Sequence, residues 1–113
     1  MRLKEIVERL NLKVKTGSDK LDREVKRGYV SDLLSDVMAN SKEGDIWITL
    51  QTHENIVAIA SLKELTGIIL INRREPAKET AKKAEEKGVP ILLSELPAFE
   101  LVGKLYKLGI PGV

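Results

Sequence analysis

Cysteine is absent from the 113 residues, and histidine occurs once, as His53. Without a thiol, the chain can form no disulfide, no zinc–thiolate site and no cysteine-ligated iron–sulfur cluster. A single imidazole is a poor basis for a dedicated transition-metal site, so neither a metal nor a cofactor is expected. The lack of cysteine also removes any argument for an oxidising compartment. No apolar run reaches the roughly eighteen residues that a membrane span needs. The opening MRLKEIVERL carries acids at helical spacing and no apolar core of a secretory signal. An excess of charge of one sign is missing too: 19 basic residues stand against 17 acidic ones, a net charge of +2. That balance does not point to nucleic acid. A cytoplasmic protein is the expectation, and its wealth of Lys, Glu and Arg leans towards a heat-loving source.

Several sequence signatures of chemistry are missing as well. VKTGSDK has some of the look of a phosphate-binding loop but lacks the Gly-Lys-Ser/Thr ending and the helix that should follow. No G-x-G-x-x-G follows a strand-like run, and there is no nucleophile elbow. A receiver domain needs an aspartate at the end of its central strand; DIWIT ends in Thr49. His53 would need an orienting carboxylate to act as a general base, and the adjacent Glu54 points elsewhere on a helix. No enzymatic activity is expected.

What is present is a strong folding pattern. A composition 42% hydrophobic and 32% charged is that of a globular chain, and its length suits one domain, residues 1–113. Leu3, Ile6, Val7 and Leu10 lie on one face of a 3.6-residue period. Leu12 and Val14 alternate with Lys13 and Lys15, as in a half-exposed strand, and residues 16–26 read as a polar loop. Three apolar runs, GDIWIT, GIILI and GVPILL, each follow a glycine at intervals of about 22 residues. GYVSD at residue 28 obeys the same grammar. A helical pattern follows each: Leu33, Leu34, Val37 and Met38; then Ile56, Val57, Ile59 and Ala60; then Ala77, Ala81 and Ala84; finally Phe99, Val102, Leu105 and Tyr106. Gly88 and Gly109 are expected to end the last two helices. Strands alternating with helices imply right-handed β-α-β units. The expected fold is α/β, a three-layer α/β/α sandwich around a mostly parallel sheet of about five strands, the first antiparallel or at an edge.

Open parallel sheets bind ligands beyond the carboxyl ends of their strands. The residues expected there are Ser31, Asp32, Thr49, Gln51, Thr52, His53, Asn72 and Arg73, with Arg74, Ser94 and Glu95 beside them. Hydroxyls, amides, an imidazole, guanidiniums and helix N-termini on one rim would suit an anion such as a nucleotide or phosphate ester. The same residue types have a plainer use. Asp32, Thr52 and Ser94 can cap helices, and a Thr52 hydroxyl bonded to the Asn55 N–H needs no ligand. Arg73-Arg74 can be a solvated pair, and Trp47 belongs to the core or a dimer surface.

The order and spacing of these features resemble a DRTGG domain over roughly residues 12–110. The resemblance rests on Gly28-Tyr29-Val30 running into a helix, Gly44-Asp45 before a strand ending in Ile48-Thr49, and Gly67 opening an apolar strand. Glu75-Pro76 before an alanine-rich helix and Gly88-Val89-Pro90 complete it. It implies a fold similar to the N-terminal domain of HPr serine kinase without the kinase's phosphate loop. It also implies a regulatory or binding module, often a homodimer, without catalysis. Such domains stand between regulatory CBS modules in some pyrophosphatases, and stand-alone copies resemble accessory proteins near iron-only hydrogenase genes. The family's Asp-Arg-Thr is expected after the Ile48-Thr49 strand, where Thr52-His53-Glu54 stands; its paired glycines are expected after the Ile68 strand, where Asn72-Arg73 stands.

Two functions follow as expectations. One is a regulatory module that senses a nucleotide or another anionic small molecule as a homodimer. The other is a scaffold for a protein partner, accessory to a redox enzyme, using the Phe99–Tyr106 helix and the apolar tail 108–113. Nucleic-acid binding through Lys13, Lys15, Lys20, Arg23, Lys26 and Arg27 ranks last, because Asp19, Asp22 and Glu24 dilute that field.

Overall fold

The computed structural model describes residues 1–112, so the last residue of the expected apolar tail, Val113, lies outside the described residues. Five strands alternate with five helices in the order α1 (Leu3–Arg9), β1 (Lys13–Thr16), β2 (Arg27–Val30), α2 (Leu34–Asn40), β3 (Asp45–Thr49), α3 (Asn55–Leu62), β4 (Gly67–Leu70), α4 (Lys78–Lys87), β5 (Ile91–Leu93) and α5 (Ala98–Lys107). A short 3-10 turn, Ser18–Lys20, lies between β1 and β2. The strands form one sheet in the order β1-β5-β4-β3-β2. β2 through β5 are parallel, and β1 is antiparallel to β5 at the edge.

The apolar runs lack polar alternation because both faces of the sheet are covered. Trp47, Ile68, Leu70, Ile91 and Leu93 pack with residues of α2, α3 and α4. Their strand neighbours Ile46, Ile48, Ile69 and Leu92 turn the other way, against Leu3 and Ile6 of α1 and Leu101 and Leu105 of α5. The two-residue period of a strand thus builds two cores and three layers. α3 buries Ile56, Val57, Ile59 and Ala60, as its apolar circumference predicts.

Four local expectations change. α5 buries Leu101 and Leu105, an i, i+4 pair, while Phe99 is 89% and Tyr106 65% exposed. The inner face is therefore rotated from the one the aromatics indicate. α4 buries Thr80 and Ala84, and Ala77 is exposed ahead of the helix. Thr80 is admitted because its hydroxyl donates to the Thr52 carbonyl at 2.7 Å. In α2 only Val37 is buried; Leu33 and Met38 face outward. Finally, Thr16 belongs to β1 rather than to the loop: its buried hydroxyl donates to Val89 O (2.8 Å) and accepts from Ile91 N (2.9 Å), bridging the bulge in the β1–β5 ladder. The loop begins at Gly17, where φ is +72° and a Cβ would lie 2.6 Å from Pro90 Cα. No side chain fits there.

Candidate functional site

Because β2 to β5 run in one direction, the segments after Val30, Thr49, Leu70 and Leu93 meet on one end of the molecule. Direct contacts tie them together. Ile71 N donates to Thr49 O (3.3 Å), Ala77 N to Thr52 O (3.2 Å) and Arg73 N to Ser94 O (3.0 Å). The eight residues expected at this rim are all on it, but they fall into two groups of different character.

The first group lies over β2 and β3. Asp32 caps no helix; its Oδ1 accepts from the Thr49 hydroxyl and from Leu50 N, both at 2.7 Å. Gln51 Nε2 donates back to Asp32 O (2.9 Å), and Gln51 N donates to Thr49 Oγ1 (3.2 Å). The Ser31 hydroxyl accepts from Leu33 N (3.2 Å), while the Ser31 carbonyl accepts from the indole N–H of the fully buried Trp47 (2.8 Å). Trp47 is thus a core residue. Beside it, the Tyr29 phenol donates to Asp36 Oδ2 (2.8 Å) and Asn40 Nδ2 to Asp36 Oδ1 (2.9 Å). Bonds from the hydroxyls of Ser31 and Tyr29 and from the Asn40 amide hold the Asp36 carboxyl below its ordinary value. The bond to Asp36, with some burial, raises the Tyr29 phenol. In the next loop, the expected Thr52 cap is replaced. His53 Nδ1 accepts from Asn55 N (3.3 Å), whereas Thr52 contributes its carbonyl to α4. His53 itself is exposed.

The second group lies over β4 and β5. Asn72 and Arg73 both have left-handed backbones, φ +56° and +59°, and Arg74 N closes the turn on Ile71 O at 3.1 Å. This is a type I′ turn, whose two central positions favour Asn and then Gly. Asn72 suits the first. Arg73 at the second is strained by about 1–2 kcal/mol, the usual cost of a left-handed L-residue. The backbone shape that paired glycines would supply is present, with side chains added. All three N–H groups of the turn are engaged, Asn72 N on Leu96 O (3.0 Å), Arg73 N on Ser94 O and Arg74 N on Ile71 O. The turn therefore offers guanidiniums to a ligand and no free backbone donors.

Arg73 and Arg74 line a furrow of about 280 Å³ together with Lys13, Asn11, Ser94 and Glu95. A second recess of about 360 Å³ shares Asn11, Ser94 and Glu95 and adds Arg9 and Lys104. Arg73 Nη2 stands 3.4 Å from Glu95, both side chains largely exposed. Ser94 is buried, and its hydroxyl accepts from Leu96 N (3.1 Å) rather than capping α5. Lys13, Arg9 and Lys104 are not among the rim residues that the sequence predicts. Lys13 reaches the rim because it pairs with Leu93 in an antiparallel register, so the first residue of β1 meets the last of β5. The one available signal was the exposed-lysine alternation of residues 12–15.

A larger cleft of about 410 Å³ opens at the other end of the sheet, lined in part by Gly44, Thr66 and Gly88. The carboxyl ends of α3 and α4 point there, a polarity that disfavours anions. Among the described residues, no group of three or more His, Asp and Glu side chains could hold a metal ion. No described helix is long and apolar enough to cross a membrane.

The fold is similar to that of the CBS and DRTGG domains of the regulatory region of Clostridium perfringens pyrophosphatase, solved in complex with its activator diadenosine tetraphosphate. The TM-score is 0.74 at 18% identity, covering 97% of this chain and 47% of that one. The chain thus spans about half the length of the structure it matches. None of the curated proteins compared matches the sequence. The DRTGG domain model matches residues 5–108, nearly the whole length, and the chain belongs to the DRTGG domain family.

Proposed function

We propose that residues 1–113 form one regulatory module that binds an anionic metabolite, such as a nucleotide, at the strand-end rim and acts as a cytoplasmic homodimer without catalysis. The observation that carries this is the junction of four parallel strand ends, through the Asp32–Thr49, Thr49–Ile71, Thr52–Ala77 and Ser94–Arg73 contacts, beneath basic side chains. Membership of the family and the similarity to a regulatory region bound to a nucleotide activator support it. The test is a thermal-shift screen of nucleotides and phosphate esters. A micromolar ligand at a hundredfold excess over its Kd adds about 2.7 kcal/mol of apparent stability and raises the melting temperature. A screen in which no compound shifts the transition ends this reading.

A second reading, a scaffold accessory to a redox enzyme, is favoured by the outward Phe99 and Tyr106 on α5 and by Leu33 and Leu62 on the opposite layer, 65% and 69% exposed. Affinity capture from source-cell extract, compared between the native chain and a Phe99→Ser, Tyr106→Ser variant, tests it. A partner retained equally by both would exclude the α5 surface.

A further inference from the structure

We propose that the anion is held in the furrow over β4, β5 and β1 by cationic side chains alone, and that it is a chain of phosphates rather than a single one. This rests on the strand-end reading above and goes further, since it names both the place and the class of ligand. Three observations carry it.

The first is the strained turn. Arg73 occupies a left-handed position that favours glycine, while neighbouring Asn72 sits in one that asparagine tolerates. Strain of this kind clusters at ligand sites. The second is that the backbone of the turn is closed to ligands, since Asn72, Arg73 and Arg74 all spend their N–H groups on protein carbonyls. An anion here must be met by side chains. The third is the distribution of charge. Lys13, Arg73 and Arg74 surround one recess, Arg9 and Lys104 the adjoining one, and Asn11, Ser94 and Glu95 are common to both. Among the described residues, Arg9, Lys13, Arg74 and Lys104 form no ion pair with the protein, while Glu75 is taken by Lys15 at 3.3 Å. Cations around two recesses that share the Asn11, Ser94 and Glu95 wall match several linked phosphates, and guanidiniums are suited to phosphate oxygens. The over-β2 group offers no such site, because Asp32, Thr49 and Gln51 satisfy one another.

Glu95 has a definite part. It stands at the shared wall and pairs with Arg73. It serves as an internal counter-ion that an incoming phosphate must displace.

The test is calorimetric titration of the full chain with inorganic tripolyphosphate at low salt, with amide chemical shifts followed in parallel. Arg74→Ala and Lys13→Ala are each expected to weaken binding by several-fold to about tenfold. Arg73→Gly keeps the turn and removes the guanidinium, so it should weaken binding while remaining folded. Glu95→Gln should tighten binding, and Lys82→Ala, on exposed α4 surface, should leave it unchanged. Shifts should concentrate at Asn11, Arg74 and Glu95. If tripolyphosphate affinity is unaltered by these substitutions, or if the shifts concentrate at His53 and Asn55, the furrow assignment is overturned while the rim reading stands. If neither tripolyphosphate nor any nucleotide binds, both fall together.

Discussion

The two halves of the strand-end rim are built on opposite terms. Over β2 and β3, Asp32, Thr49 and Gln51 exchange hydrogen bonds with one another and with the backbone, and the Ser31 hydroxyl accepts from Leu33 N. Over β4 and β5, a strained turn carries two arginines beside Lys13 and an acidic neighbour at 3.4 Å, in the open. The first half spends its polar groups on the fold. The second leaves charge unspent and tolerates strain. A polar residue at a strand end is therefore weak evidence of a site until its partners are known. An exposed cation on a disfavoured backbone is stronger evidence.

The contrast can be broken most forcefully at Trp47, which packs under the first half and holds the Ser31 carbonyl. Trp47→Ala should cost about 3–5 kcal/mol, read by circular dichroism during urea unfolding. A loss below 1 kcal/mol would mean that the indole is not a core anchor. Asp32→Ala should cost about 1–3 kcal/mol, since it deprives the Thr49 hydroxyl and the Leu50 N–H of a charged acceptor. Equal stability of that variant would show that the carboxylate is free for a ligand after all, and the contrast would vanish. Arg73→Gly should act in the reverse direction and stabilise the unliganded chain by about 0.5–1 kcal/mol, the relief of left-handed strain less the added freedom of the unfolded glycine. The exposed Arg73–Glu95 pair offsets little of this. A destabilised glycine variant would remove the evidence of strain.

The smallest effect is the pH dependence that the Tyr29–Asp36 bond adds in the first half. Asp36 is depressed below its ordinary 3.8, so its contribution to stability is complete above that value and is lost as pH falls through the lower folded-state value. Tyr29 is raised above its ordinary 10.0, so its contribution is complete below 10.0 and is lost as pH climbs through the higher folded-state value. The urea midpoint of the native chain should fall at both extremes. In Asp36→Asn both declines should flatten, and an unchanged profile would show that the Tyr29–Asp36 bond is not populated.

Much of the architecture was legible because it rests on local rules. GIILI and DIWIT announce strands covered on both faces, and Gly88, at φ +68°, ends α4 where the pattern places it. Helix faces were less legible. Phe99 and Tyr106 are larger than Leu101, yet the angle at which α5 meets the sheet decides which side is buried, and that angle is not encoded in spacing. At the rim, residue types were readable and their engagement was not. Asp32 was as fit for a helix cap as for the end of β3, and only the distance to Thr49 and Leu50 distinguishes them. Lys13 could not be placed at the rim from spacing, because its position there depends on antiparallel pairing with Leu93, eighty residues away in the chain.

The sequence by itself determined the alternation of strands and helices, the turns at glycine, and the exclusion of thiol chemistry, because periodicity and backbone freedom act between near neighbours. Only the tertiary structure decided which polar groups are consumed and which remain available. Hydrogen bonds and charges are satisfied through space, by whatever the chain brings within about 3 Å. Here that closed the Asp32 side of the rim and left the Arg73 side open.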